Sequence, residues 1–172
     1  VVAPAFLGYA KYLQGDTDGA TRVWNCALEN DKINLYVKAL SALVSGDYKS
    51  FSSFVRTDIS QVLMDVCEYL AEAGLYNEIK ALIGGVCKYR KLSAMPAIAM
   101  DCGCKAKLSY EDIGIAFPSR MFEKHLLEGE LAKNENNSFV RYLYGCLLYG
   151  KGMFEEGIAQ FECICGSEDN YR

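Results

Sequence analysis

A chain of 172 residues, 51% of them apolar and only three of them proline, is long enough to bury a sizeable core and too apolar to remain disordered. Its net charge of −4 gives no electrostatic reason to bind nucleic acid, and its one basic cluster, Lys88-Tyr89-Arg90-Lys91, reads as a solvated edge. There is no run of 18 or more apolar residues, so no segment is expected to span a membrane. The chain begins with Val1 rather than Met, as a trimmed or partly ordered fragment would.

Residues 1–30 form the first predicted helical hairpin. Gly8, Tyr9, Tyr12 and Leu13 continue a first helix, Gln14-Gly15-Asp16-Thr17-Asp18-Gly19 turns the chain, and Ala20, Trp24 and Ala27 recur on a second helix. Asp18 or Thr17 is expected to cap the second helix. Asp16 and Asp18 resemble the start of a calcium loop, but no ligand series or terminal Glu follows at the required spacing.

A second hairpin is predicted over 32–56: Leu35, Ala39, Leu40 and Leu43, then Gly46-Asp47-Tyr48, then Phe51, Phe54 and Val55. A third covers 60–85, with Leu63, Val66, Cys67 and Leu70 before Gly74 and Ile79, Leu82 and Ile83 after it. Gly84-Gly85 is expected to end it.

Residues 86–137 form an irregular insertion. Met95 to Met100 is expected to be helical with Pro96 tolerated in the first turn. Ser109-Tyr110-Glu111-Asp112 has the spacing of a capping box, and Ser119 is expected to cap a helix from Arg120 to about Lys133.

The last hairpin, 138–166, is the most regular. Phe139, Tyr142, Leu143, Cys146 and Leu147 give one apolar face; Tyr149-Gly150-Lys151-Gly152 breaks it; Phe154, Ile158, Phe161 and Cys165 give the next. Small residues, Gly145 and Gly157, stand where the two backbones would come closest. Counted from Ser138, Gly145, Leu148, Gly157 and Phe161 fall at positions eight, eleven, twenty and twenty-four. This is similar to the 34-residue tetratricopeptide (TPR) repeat, although Arg141 replaces its tryptophan. The turn glycines at 15, 46 and 74 give steps of 31 and 28 residues, so the repeats are short. The expected fold is therefore a single all-α domain over 1–172, a TPR-like helical-hairpin solenoid of about four to five repeats, one of them irregular.

Little in the sequence supports chemistry. His125 is the only histidine and sits beside Phe122 and Leu126, as a packed or half-exposed side chain would. Most of the eight cysteines lie on predicted apolar faces, which reads as free thiols in a reducing compartment, cytoplasm or nucleus. Cys163 and Cys165, two apart on a helix, point about 200° from each other and cannot chelate one ion. Cys102-Gly103-Cys104 lies in a turn but lacks two further ligands nearby. There is no phosphate-binding loop or dinucleotide fingerprint. The expectation is no enzyme, no metal and no cofactor, with a Cys nucleophile at 102 or 104 as the remote alternative.

Stacked repeats present a concave face to partners. In the TPR register that face carries Val2, Ala5, Tyr9, Tyr12 and Leu13 from the first hairpin. The second supplies Ile33, Tyr36, Leu40, Leu43 and Val44, and the third the more polar Gln61, Met64, Glu68, Ala71 and Glu72. The first ten are nearly all apolar or aromatic, and soluble monomers seldom expose such a patch. Two readings stand side by side: these residues are ordinary core, or another folded element covers them. On the second reading Tyr9, Tyr12, Leu13, Ile33, Tyr36, Leu40 and Leu43 are the contact residues. The simplest partner is a second copy, and Leu40→Glu is expected to give helical monomers.

The order of motifs along the whole chain resembles the N-terminal region of the TPR scaffold subunits of the anaphase-promoting complex (cyclosome), of the cell-division-cycle twenty-seven or sixteen type. Three features carry the resemblance: Tyr12-Leu13-Gln14 to Ala27-Leu28 followed by a Leu-Tyr helix; Val66-Cys67-Glu68-Tyr69-Leu70-Ala71; and an insertion with Arg120-Met121-Phe122-Glu123-Lys124 before the regular repeat at 138–165. The resemblance implies a non-enzymatic scaffold that homodimerises through its N-terminal repeats, meets other subunits of a ubiquitin ligase, and works in the nucleus or cytoplasm. A monomeric TPR adaptor binding a hydrophobic peptide or helix of another protein is the alternative.

Overall fold

The computed structural model describes residues 2–54, 59–100, 108–114 and 117–166. Among these every regular element is helical, ten α-helices and one short 3-10 turn, with no strand. The chain is all-α, as the periodicity predicts, and its hairpins are compatible with a helical-repeat solenoid. It divides into two compact units, Val1–Lys91 and Leu92–Arg172.

The first unit holds α1 (Ala3–Leu13), α2 (Thr17–Asn30), α3 (Leu35–Ser45), α4 (Tyr48–Phe54), α5 (Ser60–Glu72) and α6 (Tyr76–Cys87). Pro4 lies in the first turn of α1, where its missing N–H would have no intrahelical acceptor anyway. The cap of α2 is neither Thr17 nor Asp18 but Asp16, whose carboxylate accepts from the Gly19 N–H at 2.8 Å. A Cβ on Gly19 would run into that same carboxylate. Leu40, Leu63, Met64, Leu82 and Ile83 are fully enclosed, each contributing on the order of 1.5–3 kcal/mol by burial. Gly84-Gly85 does not end the third hairpin; α6 runs through both glycines to Cys87. The glycine at 85 answers a packing need instead, because the Tyr48 ring lies directly on it.

The second unit holds α7 (Ala94–Ala99), a 3-10 turn at Tyr110–Asp112, α8 (Met121–Lys133), α9 (Ser138–Gly150) and α10 (Phe154–Cys165). The Ser109 N–H and hydroxyl both donate to Asp112 Oδ2, at 2.9 and 3.1 Å, so the capping spacing is used. Ser119 does not cap α8. The enclosed Glu123 reaches back and accepts from the Arg120 N–H at 2.8 Å, and its carboxylate also pairs with the Arg120 guanidinium at 2.8 Å. His125 is neither packed nor half-exposed: it projects into solvent beside Glu128.

Three hairpins share one register. Stepping 59 positions from Gly15, Thr17 and Leu13 lands on Gly74, Tyr76 and Glu72; stepping 137 lands on Gly152, Phe154 and Gly150, and in each case the helix bounds agree. The turn is also the same. Asp16, Leu75 and Met153 each donate to the carbonyl five residues back, at 2.9, 2.8 and 3.0 Å, around a glycine at φ 83°, 75° and 78°. That left-handed backbone favours glycine. Inside the first hairpin Trp24 covers Gly8, and its indole N–H donates to the Ala5 carbonyl at 3.0 Å. At the matching positions of the last hairpin Phe161 covers Gly145, where a Cβ would lie 2.6 Å from the ring. The middle hairpin fills the same positions with the enclosed pair Cys67 and Ile83. A small residue facing a large one sixteen positions later lets the two backbones close without a void.

Candidate interaction surface

The expected oily wall survives only in part. Leu40 is 0% exposed and Tyr9 5%, so both are core residues of a single chain and not lining. The reason is the position of α3, which packs against α1, α2, α4, α5 and α6 and has little face left over. Burial, reinforced by the nearby Glu78 carboxylate, pushes the Tyr9 phenol up to about 12. Tyr36 is half-buried, and its hydroxyl donates to Asp65 Oδ2 at 2.8 Å, anchoring it to α5. Leu43 is half-buried as well. Tyr12, Leu13 and Ile33 remain exposed, with Ile33 the most open at 68%. Tyr12 stacks on the core residue Tyr9, ring centroids 6.1 Å apart.

The structure adds a surface that the concave-face register omits. A groove of about 700 Å³ lies along the first hairpin. Ala3, Pro4 and Leu7 of α1 form one bank; Arg22, Val23, Cys26, Ala27 and Asn30 of α2 form the other; Asp31 and Asn34, from the loop that carries Ile33, close one end. Its walls are almost wholly apolar, with Arg22 and Asp31 the charged groups among them. Asp31 is partly engaged, since its carboxylate accepts from the Ile33 N–H at 3.1 Å. Leu7 is 54% exposed. The sequence did carry a signal for this: α1 is apolar on nearly every side, whereas a helix with one packed face needs only one apolar stripe.

No group of three or more His, Cys, Asp or Glu side chains suited to a metal ion occurs among the described residues. Cys102 and Cys104 lie outside the described residues. Cys163 and Cys165 are exposed on α10, and Cys67 is enclosed on α5. Cys146 is partly buried, which pushes its thiol up and away from the reactive thiolate. No described helix is long and apolar enough to cross a membrane. Compared with known proteins, the chain matches no family model, no curated protein and no solved structure.

Proposed function

We propose that this chain is a non-enzymatic scaffold of helical repeats that self-associates through its N-terminal hairpins and contributes to a larger protein assembly. The observation that carries this reading is the apolar surface left open on the first hairpin and the loop after it, with Leu7, Leu13 and Ile33 each about half or more exposed. Apolar side chains gathered on one hairpin lower the free energy when another folded surface covers them. The resemblance in motif order to scaffold subunits of the anaphase-promoting complex supports a place in a ubiquitin ligase of that kind, in the nucleus or cytoplasm.

The solution mass of the purified chain tests the reading. Wild type is expected above monomer mass at tens of micromolar, and Leu13→Glu with Ile33→Glu is expected to weaken association while helicity is kept. A wild type that stays monomeric throughout removes self-association. The second reading, a monomeric adaptor for a hydrophobic helix of another protein, is favoured by the groove, whose two parallel apolar banks suit an elongated apolar occupant. A monomeric chain that retains one unrelated partner through that groove would select it.

A further inference from the structure

The shared register shows what normally covers such a groove. The equivalents of Pro4, Leu7 and Val23 in the middle hairpin are Leu63, Val66 and Leu82, all 0% exposed. There α3 and α4 lie over α5 and α6, with the Tyr48 ring seated on Gly85, the equivalent of Cys26. In the last hairpin the equivalents of Ala3 and Leu7 are Val140, which is buried, and Tyr144, which bonds across to Glu128 of the overlying α8. A helix fills this site in both cases. On the first hairpin no described helix does.

The complementary face is also on the molecule. In the described residues α10 packs closely only on α9. It leaves Phe154 and Ile158 exposed, 52% and 46%, and Phe161 half-exposed, although Trp24 and Ile83 are buried at the matching position. It carries Glu155, Glu156 and Glu162 and no lysine or arginine, while the α2 bank of the groove presents Arg22. We propose that the α1/α2 groove of one copy receives α10 of a second copy. The apolar stripe Phe154–Ile158–Phe161 lies along Leu7 and Val23, and Arg22 faces Glu155 and Glu162, the glutamates flanking that stripe. Because two different surfaces meet, each copy offers one face to each of two neighbours, as in a ring or an open chain, or both faces to one neighbour in a reciprocal pair.

The inference rests on the self-association reading, keeping the first hairpin as one face of the contact and assigning α10 of the second copy as the other. The test uses the full chain in sedimentation velocity over a concentration series, with Leu7→Glu and Ile158→Glu made separately and checked for helicity by circular dichroism. Wild type should form a reciprocal dimer or larger species as concentration rises. Each variant alone should lose them, because each lacks one of the two faces. An equimolar mixture should give a dimer and nothing larger, since each variant keeps the face that the other lacks. If either Glu variant loses helicity, Leu7→Gln and Ile158→Gln replace the pair. A mixture that stays monomeric, or a single variant that still assembles like wild type, overturns the inference while leaving the scaffold reading in place. A monomeric wild type overturns both.

Discussion

The Tyr48 ring rests on Gly85 so closely that a Cβ at that glycine would lie 2.5 Å from three ring carbons. The contact brings α4 onto α6 and fixes how the second hairpin meets the third. In Gly85→Ala the helix gains about 1 kcal/mol of intrinsic propensity but the overpacked ring contact costs about 1–3 kcal/mol. The net is expected to be destabilising, by up to about 2 kcal/mol. Gly129, in α8, has nothing within 4 Å of the point where a Cβ would stand, so Gly129→Ala should stabilise by about 0.5–1 kcal/mol. Urea titrations of the two variants should move in opposite directions. A stabilised Gly85→Ala would mean that the ring yields without cost.

Leu40 and Leu13 look alike in the apolar pattern and differ in the fold. Leu40 has no exposed surface, so Leu40→Ala should cost about 2–5 kcal/mol, and Leu40→Glu should unfold the first unit rather than release helical monomers. Leu13 is 52% exposed, and Leu13→Glu should change stability by no more than about 0.5 kcal/mol. Thermal melts followed by circular dichroism separate the two. A cooperative, wild-type-like melt for Leu40→Glu would return that residue to the surface.

Why the periodicity located the hairpins but misjudged the wall is visible in these residues. Helical spacing and turn glycines are local features, so α1, α2, α9 and α10 and the turns at Gly15, Gly74 and Gly152 were legible. Which apolar face is covered depends on residues far away in sequence. The α3 helix shows this most clearly, being surrounded by five others, so its Leu40 is core. Gly85 looked like a stop because the ring that requires it, Tyr48, lies 37 positions earlier. The groove was missed for the same reason: Pro4 and Leu7 match Leu63 and Val66 in pattern, and only the presence of α3 and α4 over the latter separates them.

Glu123 is fully enclosed and its partner Arg120 is 7% exposed, so this ion pair is held away from water. The carboxylate also accepts from the Arg120 backbone N–H at 2.8 Å, closing the first turn of α8. Breaking a buried pair by removing one member is strongly destabilising, and Glu123→Ala should cost about 3–5 kcal/mol. Glu123→Gln, which keeps the shape and an acceptor oxygen, should cost less. If equilibrium unfolding finds both variants within about 0.5 kcal/mol of wild type, the figure for a neutral surface change, the pair does not hold the start of α8.

Tyr144 and Glu128 give the second unit opposite sensitivities at the two ends of the pH scale. The Tyr144 hydroxyl donates to Glu128 Oε1 at 2.8 Å. Burial, and then this hydrogen bond to the carboxylate, raise the phenol from 10.0 to about 12. The folded state therefore holds the phenolic proton more tightly than the unfolded chain does. Its stabilisation is complete below pH 10 and should be lost as pH rises from about 10 to about 12. For Glu128, burial disfavours the charge, but hydrogen bonds from Tyr144 and Lys124 outweigh it and hold the carboxyl below its ordinary 4.5. That contribution is present above 4.5 and disappears as the carboxylate protonates below it. Tyr144→Phe should flatten the alkaline arm of a stability-versus-pH curve, and, by removing one of the donors to Glu128, shrink the acid arm as well. Tyr9, also raised to about 12 but chiefly by burial in the first unit, should leave an alkaline dependence of its own in that variant. An alkaline arm that is unchanged in Tyr144→Phe and vanishes in Tyr9→Phe would assign the whole effect to the first unit and leave the α8–α9 hydrogen bond without a titratable role.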